Sequence, residues 1–268
     1  MTQQFSRDPE LPFFESRRAW RSRACYRPHT HPTLSIGAVD AGASTLVVEG
    51  AAPVRLAAGD VVLIAPQRVH SCNPEPDEEW SYQMLYLDPD WVETLLREIH
   101  DGEPGRQAVF PAWQRSPALY RGLTRLTDAL HSPLDNEHKE SLLVDFVGGL
   151  LTRASTAVAA PGRPEWLSAT LHCLDLQCER VWPLERLAAA AGLSRYHFIR
   201  AFRSSTGMTP HAFQLDCRIN RARAGLRTGA GLAELALALG FADQSHFQHA
   251  FKQRVAVTPF QYRDLSRG

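Results

Sequence analysis

The sequence predicts an α+β multidomain chain, with an N-terminal antiparallel β-barrel, a helical hairpin, and a C-terminal all-α domain carrying two helix-turn-helix motifs. Three observations carry that prediction. Residues 184–213 and 232–262 form an internal repeat, residues 26–88 break into short strand-like runs, and residues 116–153 carry two apolar stripes at helical spacing.

Taken in order, residues 1–24 are polar and Arg-rich, with Phe13, Phe14 and Trp20 as isolated anchors, and read as an arm leading into a first strand. The runs LSIGAV, STLVVEG, PVRL, DVVLIAP and WSYQMLYLD follow, separated by Gly, Pro and Asp, which is the pattern of an antiparallel barrel or double-sheet roll. In the last run Trp80, Tyr82, Met84 and Tyr86 alternate onto one face. DPDWVETLLREI reads as a short capped helix and DGEPG as a loop. Leu119, Leu123, Leu126 and Leu130 stripe one helix; Leu142, Phe146 and Leu150, beside Leu143, Val147 and Leu151, give the next a broad apolar arc. That arc packs on the barrel or forms a homodimer contact. The small residues ASTAVAAPGRP at 154–164 read as an interdomain linker, so the expected units are 1–112, 113–153, 154–164 and 165–268.

In the repeat, Leu184, Leu187, Ala188, Ala190 and Gly192 fall on Leu232, Leu235, Ala236, Ala238 and Gly240. One residue later in the second copy, His197, Phe198, Ala201, Phe202, Thr209 and Pro210 fall on His246, Phe247, Ala250, Phe251, Thr258 and Pro259. Each copy reads as a short helix, a Gly turn, an N-cap at Ser194 or Asp243, and a second helix pinned by phenylalanines at i, i+4. The outer face then presents Arg195, Tyr196, Ile199, Arg200 and Arg203 in one copy, and Gln244, Ser245, Gln248, His249 and Lys252 in the other. Such residues on an exposed second helix suit base edges and phosphates in the major groove of double-stranded DNA. Polar residues on a solvated face are the plainer reading of either copy alone; the tandem favours DNA.

Charge agrees with this. The formal net charge is zero, yet from Pro161 onward 14 Lys and Arg face 8 Asp and Glu, so the excess of base sits with the repeats. The opening residues carry no apolar targeting core and no apolar run reaches span length, which predicts a cytoplasmic chain without membrane contact. Five irregularly spaced cysteines argue against a disulfide framework, and Cys173 and Cys178, near His172, fit no common zinc spacing.

Residues 166–264 resemble the DNA-binding domain of the AraC/XylS family of bacterial transcription regulators, on the two repeats, the joining segment with Arg218 and Ala222, and the closing GFADQSHFQHAFKQRVAVTPFQYR. Two positions depart from that pattern: His249 stands where Arg is common, and Ala256 where Gly usually precedes Thr-Pro. The second departure predicts strain, or a differently shaped turn, at the end of the last recognition helix.

His29-Thr30-His31, with Gly59-Asp60, Pro66 and His70, resembles the cupin-type barrel that precedes this domain in many family members. Metal-dependent cupins add a Glu soon after the H-x-H pair, and none follows His31 here. The sequence therefore predicts no resident cofactor. A three-histidine metal site at His29, His31 and His70 is the alternative, and an assignment to ligand hydrogen bonding or to closing the barrel mouth is preferred.

The resemblance implies a non-enzymatic regulator controlled by a small-molecule effector, with His29, His31, His70, Trp80 and Tyr82 as ligand-binding candidates. A metal-dependent cupin enzyme with a DNA-binding tail, and a regulator whose barrel serves only assembly, are the rival readings.

Overall fold

The computed structural model describes residues 2–99, 106–153, 155–158 and 163–264. The DGEPG loop and the middle of the linker lie outside the described residues. Two antiparallel sheets form the N-terminal half. The larger runs in the order β1 (Thr2–Asp8), β2 (Leu11–Ser22), β8 (Trp80–Leu87), β3 (Leu34–Ala41), β6 (Asp60–Ile64), β10 (Trp113–Arg115). The smaller is β5 (Val54–Ala57), β4 (Ala43–Val48), β7 (His70–Asn73). Val39, Leu46, Val48, Leu56, Val62 and Ile64 pack between the two sheets. The other face of the large sheet, through Phe14, Leu34, Ile36, Leu63, Leu85 and Leu87, is covered by α1 (Pro89–Ile99), α2 (Pro117–Leu130) and α3 (Asn136–Arg153).

Several expectations change here. The arm is a hairpin: β1 pairs with β2 from Thr2 opposite Trp20 to Asp8 opposite Leu11. Its second strand buries Glu15 and Arg17, the reverse of the pattern that marks a half-buried strand. The barrel reaches past residue 112, because β10 pairs with β6 and Arg115 clasps the buried Asp60 at 2.8 and 3.0 Å. Part of the linker is a strand, β11 (Ser155–Val158), paired with β9 (Arg106–Val109). On α3, Leu143 and Leu150 are buried against the chain's own sheet domain, so of the two readings of the arc, packing on the barrel holds for them; Leu142 and Val144 remain exposed.

The C-terminal half comprises α4 (Glu165–Leu176), α5 (Leu184–Ala190), α6 (Arg195–Thr206), α7 (Pro210–Arg227), α8 (Leu232–Ala238), α9 (Gln244–Val255) and α10 (Pro259–Asp264). Ser194 and Asp243 accept from the amides of His197 and His246, as N-caps do. Phe198 and Phe202 are fully buried in one core, Phe247 and Phe251 in the other. The long α7 joins them, and Arg218 holds the junction by donating to the carbonyls of Cys178 and Gly240, both at 2.6 Å. Gly240 has φ +71, and a Cβ there would lie 2.2 Å from the Glu179 carbonyl oxygen, so this turn requires glycine twice over. Cys173 and Cys178 are free thiols.

Each helix-turn-helix core is completed from the sheet domain. Val69 enters the first and Phe5 of β1 the second, where it meets Tyr262 edge-on at 5.7 Å.

The strain predicted at Ala256 is present. Helix α6 ends on Gly207 at φ +71, whereas α9 ends on Ala256 at φ +63, where a Cβ is disfavoured. Ala256→Gly should therefore stabilise the chain by about 1 kcal/mol, read as a higher urea midpoint at unchanged slope; a lower midpoint would show that the methyl group earns its place by packing.

Candidate functional site: a cavity closed by the DNA-binding helices

His29, His31, His70, Trp80 and Tyr82 all line one cavity of about 60 Å³, room for several waters or a small ligand. The two strand-like segments carrying the histidines are tied by reciprocal amide–carbonyl bonds between His29 and His70, both 3.0 Å. This brings the three imidazoles together edge-on and tilted, with ring centroids 4.6 to 5.0 Å apart. Trp80 lies on Tyr82 at 4.2 Å, as the alternation along β8 requires.

The cavity is not closed by the sheets alone. Arg223 of α7 and Arg254 and Val255 of α9 form part of its wall. Sequence reasoning missed these, along with Glu15, Arg17 and Tyr26, because nothing local distinguishes a cation that faces solvent from one drawn beneath a neighbouring domain. Glu15 accepts from Arg7 Nε at 2.8 Å, Tyr262 Oη at 2.9 Å and Arg223 Nη2 at 3.3 Å. Burial alone would raise its carboxyl, but the guanidinium groups of Arg7, Arg223 and Arg227 override that and hold it at about 2. Asp216 of α7 accepts from both the amide and the hydroxyl of Thr30, at 2.8 and 2.7 Å, with Arg254 Nε 3.6 Å away. Burial nevertheless pushes its carboxyl up to about 6. These contacts fasten α7 and α9 to the strip between the two histidines.

The imidazoles are held neutral. Burial pushes His70 down to about 4, and it drives His29 and His31 well below the ordinary histidine value, with neighbouring imidazole and guanidinium charges adding to the effect. His29 and His70 turn Nδ1 to the carbonyls of Arg27 and Arg68, so that nitrogen donates and Nε2 keeps its lone pair. His31 is different: its Nδ1 accepts from Arg223 Nη1 at 3.0 Å, which places the proton on Nε2. One ligand atom from each imidazole lies within 4.8 Å of the others, with Nδ1 of His31 engaged by Arg223 and Glu15 committed to arginines. Holding an ion through His31 Nδ1 would require its bond to Arg223 to break.

On the outer surface, Arg195, Tyr196, Arg200 and Arg203 of α6 are exposed, as are Gln244, Ser245, His249 and Lys252 of α9, while Ile199 and Gln248 are half-buried. Arg200 lies against the Tyr196 ring and donates to its hydroxyl at 2.8 Å; Arg195 pairs with Glu185 of α5 at 2.8 Å. His249 bonds to Gln253 along the helix. No described helix is long and apolar enough to cross a membrane.

Comparison with known proteins agrees with both halves. A family model described as an AraC-like ligand binding domain matches residues 15–147, and a helix-turn-helix domain model matches residues 187–264. The chain is 26% identical to the Bacillus subtilis HTH-type transcriptional regulator YbfI over 81% of its own length and 80% of that protein. It is 24% identical to the Salmonella typhimurium arabinose operon regulatory protein, over 76% and 74%. Among solved structures, Vibrio cholerae ToxT with unsaturated fatty acid bound superposes with a TM-score of 0.60 at 15% identity, covering 98% of this chain and 95% of that one. A sheet domain matching the ligand-binding model, followed by two capped recognition helices matching the DNA-binding one, makes the chain a member of the AraC/XylS family of transcription regulators.

Proposed function

We propose that the chain is a transcription regulator whose hold on double-stranded DNA is set by a small molecule in the cavity between the sheets and helices α7 and α9. One observation supports this above others: Arg254 and Val255, which line the cavity, are the last two residues of α9, whose opposite face carries Gln244, Ser245, His249 and Lys252. A molecule entering the cavity meets the underside of a recognition helix. Its differential contacts with docked and released arrangements of that helix are what would bias DNA binding. The rival enzyme reading loses its support where Arg223 occupies the His31 lone pair. The expected homodimer would use the exposed edge of α3 at Leu142 and Val144.

The two recognition helices differ in sequence, so one subunit should read an asymmetric site over two successive major-groove segments. Arg200→Ala should cost about 1–3 kcal/mol and relax base preference in one half of the site, and Gln244→Ala should act on the other half. Arg203→Ala should weaken binding to all sequences alike and lower the salt slope by about one. Footprinting with a base-substitution series tests this. Relaxation of the same base pairs by Arg200→Ala and Gln244→Ala would sink the two-headed reading, and footprints unaffected by any of the three would sink DNA recognition by these faces.

A further inference from the structure

The cavity carries a polarity that its own walls leave unbalanced. Three of its lining residues hold buried nitrogens without a hydrogen-bond partner: Nε of Arg17, Nε1 of Trp80 and Nε of Arg254. All three are N–H donors. Among the described residues no buried side-chain oxygen is in the same condition. Beside the Nε2 lone pairs of His29 and His70, the cavity thus has N–H donors to spare.

Arg17 is the extreme case. Only 4% exposed, it donates from Nη2 to Gln3 Oε1 and to the Tyr26 hydroxyl, both at 2.8 Å, and among the described residues no carboxylate pairs with it. The other two lining guanidiniums have counter-charges, Arg223 in Glu15 at 3.3 Å and Arg254 in Asp216 at 3.6 Å. Arg17 is thus a buried cation with no carboxylate of its own, while Arg223 shares Glu15 with Arg7. Holding Arg17 without a counter-ion is costly, which is reason to look for the counter-ion in what the cavity accepts. The remaining wall is apolar and partly flat, with Trp80 on Tyr82 and the side chains of Val39, Leu46 and Leu56.

We propose that the cavity binds a small organic monocarboxylate, its oxygens taking the free N–H groups of Arg17 and Trp80 and its apolar body lying on the Tyr82, Val39, Leu46 and Leu56 side. The unpaired Arg17 guanidinium matches a carboxylate, and the apolar wall disfavours an inorganic dianion. The proposal rests on the effector reading above and names the chemical class of the effector.

The test is a melting-temperature series on the full chain with benzoate, phenylacetate and hexanoate beside their amides, followed by calorimetry on whichever acid stabilises. At least one acid should raise the melting temperature while its amide, of nearly the same shape without the charge, should not. Arg17→Met should weaken that acid at least about tenfold, and Arg17→Lys, which keeps the charge, should weaken it less. The rank of benzoate against hexanoate tells a flat body from a flexible one. Amides that shift the melting temperature as far as the acids would overturn the anion and leave effector binding standing. No shift from either series would overturn both.

Discussion

Replacing Glu15 by Gln is expected to cost about 3–5 kcal/mol, because it leaves Arg7 and Arg223 charged and buried with no carboxylate between them. The loss should be specific to the junction. Glu15 faces no part of the apolar core under α1 to α3, so the sheet domain should retain its own cooperative transition while α7 to α10 become sensitive to protease. Combining Glu15→Gln with Arg223→Met should recover part of the deficit, since the second change removes a charge that the first orphaned. Additive losses in the double variant would show that the carboxylate acts by packing alone. If the docked arrangement is also the one that withholds α9 from DNA, the single variant should bind its site in the absence of any effector.

Acidification should be nearly as damaging. An unfolded chain protonates its histidines below about pH 6.5, but in the native state burial holds His70 neutral until about 4 and keeps His29 and His31 well below the ordinary value too. The unfolded state then binds more protons, so stability is present above pH 6.5 and drains away as pH falls towards 4. For His70 alone this amounts to about 3 kcal/mol. Asp216 works in the other sense: its native value of about 6 lies above the ordinary 3.8, so protonating it returns a comparable amount over nearly the same window. These two roughly cancel, which leaves His29 and His31, with His131, which burial also pushes down to about 4, to set a net loss. Urea midpoints measured from pH 7 to pH 4.5 should fall steadily, and replacing His31 by Gln should flatten the profile. A midpoint that holds constant down to pH 4.5 would mean that the imidazoles are solvated and that the cavity is open.

The two helix-turn-helix units were legible because their signals are local. A capping Ser or Asp, a turn glycine and phenylalanines four apart act within one or two turns of helix, and the structure places each accordingly. The strands β3, β4, β5, β6 and β8 were legible for a related reason, since each has an apolar face that any sheet must bury. The hairpin of β1 and β2 was hidden because Glu15 and Arg17 are buried there. Glu15 tolerates burial because Arg7 on the neighbouring strand is joined by Arg223 and Tyr262, more than two hundred positions away. Strands β7 and β10, at four and three residues, are too short to show alternation at all. The histidines and β8 aromatics of the cavity could be named from sequence, but its cationic side could not. A periodic pattern records what faces the interior of one element and says nothing about an arginine on α7 that faces the interior of another domain.

The insertion of Phe5 into the core of the second helix-turn-helix has a consequence for how the chain is made. Phe5 packs on Tyr262, and Arg7 beside it donates to the Tyr262 carbonyl across 255 positions of sequence. Contacts of such separation form late and are slow to find. The sheet domain and the first helix-turn-helix can fold as they emerge, with β1 paired to its neighbour β2, but Phe5 stays unburied until α10 brings Tyr262. A chain caught or cut before α10 therefore exposes an aromatic side chain on an edge strand.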